Sequence, residues 1–243
     1  MDRKGDTGPR TPTWRGRKPV RPREWGLVDV AAGLAGLLSG LAAGPLADRL
    51  ATNAPARRPL LARAPRSPRR LLVTAGTGAL GAAAGAVFGF TLEAAASALF
   101  CWILVIVTRT DLEHRLIPNR IVIPGTVLML VLRTLADPSP AWLLAAVAAG
   151  AVLFVIALVY PRGMGMGDVK LAAFLGAGLG ASVAVALFIG FLAAAVPAAV
   201  LIARHGRAAR KLPIPLGPFL ALGAVVALFF GDSILDWYVG SGA

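Results

Sequence analysis

Apolar runs set the rhythm of the chain. The stretches 27–47, 71–90, 91–110, 117–136, 141–160, 168–180, 181–203 and 216–238 are mostly apolar and hold few charges. About 20 apolar residues cross the hydrocarbon core of a bilayer as a helix. The pattern therefore predicts an all-α, polytopic integral membrane protein with about eight transmembrane segments, the sixth short and closely joined to the seventh. Composition agrees: 57% of the residues are hydrophobic and 15% charged, against roughly 45 to 50% apolar in soluble domains. That balance excludes a disordered chain and disfavours a soluble one.

The polar remainder divides the chain. Residues 1–25 carry Pro9, Pro12, Pro19, Pro22 and eight Lys or Arg, a composition that buries no core and reads as a disordered basic N-terminal tail. A basic start before an apolar run is also the form of a secretory signal. The charged region is long for one, however, and no small-x-small cleavage site follows, so 26–47 is read as the first transmembrane segment. The segment 48–70 has seven arginines and four prolines and reads as an irregular basic loop. A membrane domain over 71–238 and a short tail, 239–243, complete the division.

Net charge is +13, from 25 basic and 12 acidic residues. In a soluble protein such a balance suggests nucleic acid, but here the basic residues stand between apolar runs. They mark the cytoplasmic side beside anionic lipid, and no nucleic-acid partner is expected. With 48–70 placed inside, alternation puts Arg109, Arg115, Arg120, Arg162, Lys170, Arg204, Arg207, Arg210 and Lys211 inside as well. Glu93, Asp137, Asp232 and Asp236 fall outside, and Arg133 is the one basic residue after the tail near the outer face. A first helix that crosses would carry the basic tail outside against the rule, so its crossing stays open at this point.

Glycines recur every four residues at Gly36, Gly40, Gly44 and at Gly81, Gly85, Gly89. Such rows make a smooth groove for a neighbouring helix, either one of the chain's own or that of a substrate. Cys101 is the single cysteine and lies in an apolar run, which leaves no disulfide framework and no cysteine-based zinc site.

Ionisable residues at membrane depth are candidates for function. Among the 12 carboxylates, Asp2, Asp6 and Glu24 belong to the tail and four others to outer ends, while Asp29 and Asp48 flank the first run and read as interface residues. Asp111 then directly follows the third span and Asp168 directly precedes the sixth. Two spans lie between them, so both arrive at one membrane boundary. Gly165 and Gly167, before Asp168, permit backbone conformations and close substrate approach that other residues deny. Pro118 and Pro124 hold the entry to the fourth span bent.

Two carboxylates brought together do not both ionise readily, so one keeps a proton while the other serves as base. That is the requirement of aspartic proteolysis, in which the pair activates water against a peptide carbonyl. Two unrelated aspartates that cap helices, or that pair with Arg115 and Lys170, fit the same spacing.

Asp111 with Ile117-Pro118-Asn119, and Gly165-Met166-Gly167-Asp168-Val169-Lys170-Leu171, resemble the two motifs of the prepilin peptidases, the type IV leader peptidase family of GxGD membrane aspartic proteases. Pro215-Leu216-Gly217-Pro218-Phe219-Leu220 resembles the family too, and more loosely so does Gly44-Pro45-Leu46-Ala47-Asp48-Arg49. The resemblance implies that Asp111 and Asp168 are the catalytic pair, with Gly165, Gly167, Lys170, Pro118 and Asn119 shaping the loop or meeting substrate. It implies prepilin or pseudopilin substrates, with a short basic leader cut after a glycine before a hydrophobic helix, and an active site facing the cytoplasm at the inner membrane. Larger members resemble a fusion with an N-methyltransferase, and their first cytoplasmic loop commonly holds zinc through two CxxC pairs. Here 48–70 has no cysteine, so no metal and no cofactor is expected and methyl transfer is in doubt. Signal-peptide-peptidase and presenilin relatives share a GxGD loop, but their first aspartate usually follows a tyrosine where this chain has Thr110.

Other constellations are thinner. Glu113, His114 and His205 lack ligand spacing and read as surface residues. Ser39 has no histidine to activate it. Lys170 could tune Asp168, touch substrate, or simply snorkel to the interface. The rival from another class is a membrane transport or assembly protein whose aspartates bind cations or a partner.

Overall fold

The computed structural model describes residues 26–62, 68–160, 164–205 and 215–240. The expectations for the tail 1–25, for Arg63, Arg66, Arg162, Arg207, Arg210 and Lys211, and for 241–243 lie outside these residues, as do the side chains of His205 and Val239.

Eight α-helices and one 3-10 turn make up the described structure: α1 Leu27–Asn53, α2 Arg70–Phe88, α3 Leu92–His114, α4 Asn119–Ala136, α5 Ala141–Val159, α6 Met166–Leu179, the turn Gly180–Ser182, α7 Val183–His205 and α8 Gly217–Gly240. Seven runs are long and apolar enough to cross a membrane, with α6, the turn and α7 forming a single run, Met166–Arg204. The chain is an all-helical, multi-pass membrane protein.

Neighbour contacts give the directions. Gly176 of α6 lies against Ala145 of α5, and Gly150 against Ala173, so these helices are antiparallel. Gly190 of α7 meets Leu220 of α8, and Ser182 donates to Asp232 at the other end of α8, so α7 returns along α8. The break between α6 and α7 falls at Gly180, where φ is 61° and a Cβ would approach the Trp142 ring to 3.0 Å. Only glycine turns there without strain. α6 and α7 are thus the two arms of a hairpin, the short sixth span and its closely joined seventh.

The glycine rows of α1 and α2 face each other. Gly36 lies on the Gly81 carbonyl, Gly40 on that of Thr77 and Gly85 on that of Ala32, and the Thr77 hydroxyl donates to the Gly40 carbonyl at 2.9 Å. A side chain at any of these glycines would strike backbone, which explains the spacing as close helix packing. Most of both rows is thus taken up by the chain itself, while Gly89, the C-cap of α2 with φ 68°, has open space where a side chain would stand.

α3 is the hub, packed on α1, α2, α4, α6 and α8. Its Phe100, Leu104 and Val107 are buried with Phe174 and Leu175 of α6 and Leu220 of α8, and the Phe100 and Phe174 rings stack with centroids 5.0 Å apart. At the end away from the candidate site Arg133 is turned inward and is only 1% exposed. It pairs with Glu93 at 3.6 Å, donates to Ser97 at 3.1 Å and lies over the Trp142 ring. A buried guanidinium persists only with such partners.

α1 continues past residue 47 through Asp48 to Asn53. Asn53 Nδ2 then donates to the carbonyls of Leu60 and Ala62 at 3.1 and 2.9 Å, which folds the start of the basic segment back on itself. Arg120, at the start of α4, donates to the Arg58 carbonyl at 2.9 Å and ties that segment to the α3–α4 corner.

Candidate active site

Asp111 occupies the last turn of α3 and Asp168 the first turn of α6. α3 stops just past Asp111 because Arg115 adopts the left-handed conformation, φ 51°, with its N–H on the Asp111 carbonyl at 2.8 Å. This is the αL form of helix termination, made here by a residue other than glycine. The chain then runs through Ile117 and Pro118 into α4, where Pro118 stands as N-cap and has no N–H to leave unsatisfied. Two spans later Gly165 caps α6, and its N–H donates to Asp168 Oδ2 at 3.3 Å.

The two motifs interlock. A Cβ on Gly167 would lie 3.0 Å from the Cβ of Ile117, so the absence of a side chain lets the start of α6 rest on the α3–α4 corner. Three residues on, Lys170 Nζ donates to Asn119 Oδ1 at 3.0 Å. Lys170 therefore clasps the other motif. Asp111 and Asp168 are near enough for their charges to interact, and Arg115 is within reach of Asp111. Asp111 is 6% exposed, whereas Asp168 is half-buried.

Asp111 has a further partner from far along the chain. The N–H of Gly217, first residue of α8, donates to Asp111 Oδ2 at 2.8 Å. A helix N-terminus presents N–H groups that lack intrahelical acceptors, together with the positive end of the helix dipole. The motif Pro215-Leu216-Gly217-Pro218 thus delivers a donor to one of the two candidate carboxylates. Sequence reasoning noted the motif and gave it no role, since a backbone N–H carries no residue signature.

Asp48, read from the sequence as an interface residue at the inner end of the first run, is enclosed by the bundle. It is 3% exposed and forms an ion pair with Arg109, two residues before Asp111 on α3. Asp29 takes a part-exposed place in the first turn of α1, accepting from the Gly26 N–H at 3.2 Å. Glu113 accepts from Arg109 at 3.4 Å and from Arg69 at 3.3 Å. Among the described residues no group of three or more His, Cys, Asp or Glu is gathered as a metal would need.

A family model for the type IV leader peptidase family matches residues 98–202, a span that contains both motifs. The chain is 39% identical over 176 residues to a Bacillus subtilis protein named prepilin leader peptidase/N-methyltransferase, a match covering 71% of this chain and 69% of that protein. The chain belongs to the type IV leader peptidase family.

Two further relatives in the family bear the same name. The Legionella pneumophila protein is 34% identical over 63% of this chain and 56% of its own length. That of Pseudomonas aeruginosa is 32% identical over 63% of the chain and 55% of its length. The chain thus spans little more than half the length of these two relatives. No solved structure matches it.

Proposed function

We propose that this family member is a membrane-embedded aspartic endopeptidase that removes the short basic leader of prepilin or pseudopilin precursors at the cytoplasmic membrane face, with Asp111 and Asp168 as its catalytic pair. The observation that carries the reading is the interlock of the two motifs. Gly167 rests on Ile117 and Lys170 holds Asn119, so two carboxylates separated by two spans meet at one end of the bundle.

In the reaction, the ionised carboxylate takes a proton from water as the water oxygen bonds to the peptide carbonyl carbon. The protonated partner hydrogen-bonds the developing oxyanion. The tetrahedral intermediate collapses when a carboxyl proton passes to the leaving nitrogen and the C–N bond breaks, giving a free leader and a new amino terminus. Gly217 and Gly165 each direct an N–H at one aspartate and fix its carboxyl while this occurs.

The distribution of charge supports this sidedness. Arg58, Arg69, Arg115, Arg120 and Lys170 all cluster at the end of the bundle that holds the aspartates, as cytoplasmic ends do. The relatives' names favour cleavage over the transport reading. They also include methyl transfer, which stays outside this proposal because the segment 48–70 lacks cysteine.

The test is co-expression with a prepilin, followed by a gel mobility shift and N-terminal sequencing of the product. Cleavage directly after the glycine that ends the leader is the expected result. An uncut precursor beside a correctly inserted enzyme would overturn the reading.

A further inference from the structure

Arg109 and Asp111 sit two residues apart on α3, so they point to faces about 200° apart. Asp111 looks toward α8 and meets Gly217. Arg109 looks toward α1, where its guanidinium is fully engaged: Nη1 pairs with the Asp48 carboxylate and donates to the Asp48 carbonyl at 3.0 Å, Nη2 donates to the Thr52 hydroxyl at 3.1 Å, and Nε to Glu113 at 3.4 Å. The side chains of Asp48 and Arg109 are 4% and 6% exposed.

A pair this deeply buried is a poor device for stability, because desolvating both charges offsets most of their attraction and an apolar replacement often serves as well. Its location suggests a different use. The turn that carries Asp111 ends immediately at Arg115, and the final carbonyls of a helix have no intrahelical donors to hold them. Left alone, such a turn frays and rotates. Anchors on two nearly opposite faces prevent both.

We propose that Asp48 is a positioning residue for Asp111, acting through Arg109, and that this is the task of the stretch Gly44-Pro45-Leu46-Ala47-Asp48-Arg49. The inference rests on the peptidase reading of Asp111. Asp48 is enclosed by the bundle; it sets the rotation of the α3 terminus so that the Asp111 carboxyl faces its partner and Gly217.

The experiment compares full-length enzyme purified in lipid nanodiscs, with a full-length prepilin bearing a basic leader as substrate. Asp48→Asn leaves the arginine charge buried and unpaired, so both thermal stability and kcat fall. The double variant Asp48→Leu/Arg109→Met removes the pair and fills its volume. Thermal stability returns close to that of the wild type, while kcat remains at least about tenfold down, as expected from a misaimed catalytic group, and KM changes by no more than about twofold. Asp48→Glu retains the charge and keeps kcat above that of Asp48→Asn. A stable double variant with kcat within about twofold of the wild type overturns the inference, since a purely structural pair is replaceable. Should the double variant not accumulate, Thr52→Val decides, because it removes one arginine bond and strands no charge. A drop in kcat of about threefold at constant KM supports the inference, and an unchanged kcat overturns it. Wild-type enzyme that fails to cut prepilin defeats the peptidase reading itself, a result distinct from either.

Discussion

The backbone N–H of Gly217 donates to Oδ2 of Asp111 at 2.8 Å, joining residues 106 positions apart. A methyl group at position 217 would stand 2.8 Å from that same oxygen and 3.1 Å from the Asp111 Cβ. We predict that Gly217→Ala lowers kcat by about tenfold or more, with normal insertion and yield, measured as the rate of prepilin cleavage. A wild-type rate in this variant would show that the close approach of position 217 to Asp111 does not set the rate.

Asp111→Asn and Asp168→Asn should each abolish cleavage and leave the protein in the membrane at wild-type levels, because each role in the pair needs a group that can gain or lose a proton. An immunoblot of membrane fractions together with the mobility shift reads both outcomes. Full activity in either variant would end the aspartic mechanism.

Gly167 tests the contact between the motifs. A side chain there meets the Ile117 Cβ at 3.0 Å, so Gly167→Val should push α6 away from the α3–α4 corner and suppress cleavage. Removing the opposing Cβ as well, in Gly167→Val/Ile117→Gly, should restore part of the rate. No recovery in the double variant would mean that Gly167 serves for something other than this approach.

Lys170 and Asn119 should behave as one unit. If their 3.0 Å bond holds the motifs in register, Lys170→Met and Asn119→Ala each slow cleavage by a few-fold, and the double variant is no slower than the worse single one. Additive losses in this cycle would assign the two residues separate tasks.

The apolar runs revealed the helices because lipid demands about 20 apolar residues whatever else a protein does. The short sixth span was legible for the same reason. Local hydropathy marks the limit of the apolar run at Asp48 and Arg49 but not the end of the helix, which continues to Asn53, and Asp48 is met there by Arg109, 61 residues away. Nothing near Asp48 announces that partner. Glycine spacing showed that a helix would pack there, and only the fold showed that α1 and α2 fill each other's grooves. The places of Asp111 and Asp168 could be reasoned from parity of crossings. The Gly217 donor could not, since its chemistry belongs to the backbone and to where α8 begins.

Sidedness can be checked with single cysteines in a Cys101→Ala background. Cysteines at Leu116 and Met164, on the segments that carry the two motifs, should both be shielded from an impermeant thiol reagent in intact cells. Those at Pro138 and Gly240, at the opposite ends of α4 and α8, should be labelled. Opposite behaviour of Leu116 and Met164 would separate the aspartates and defeat the shared site.

α6 has 14 residues, against 19 in α5 and 23 in α7. At about 1.5 Å per residue it reaches only about 21 Å, well short of the ~30 Å hydrocarbon layer. Nine of those 14 residues are buried, packed chiefly against α5 and α4. Protein rather than lipid therefore surrounds most of α6, and its length is matched to the bundle instead of to the bilayer. Asp168 stands at the start of that sheathed helix, so a change in acyl-chain length should leave its place beside the α3–α4 corner unaltered.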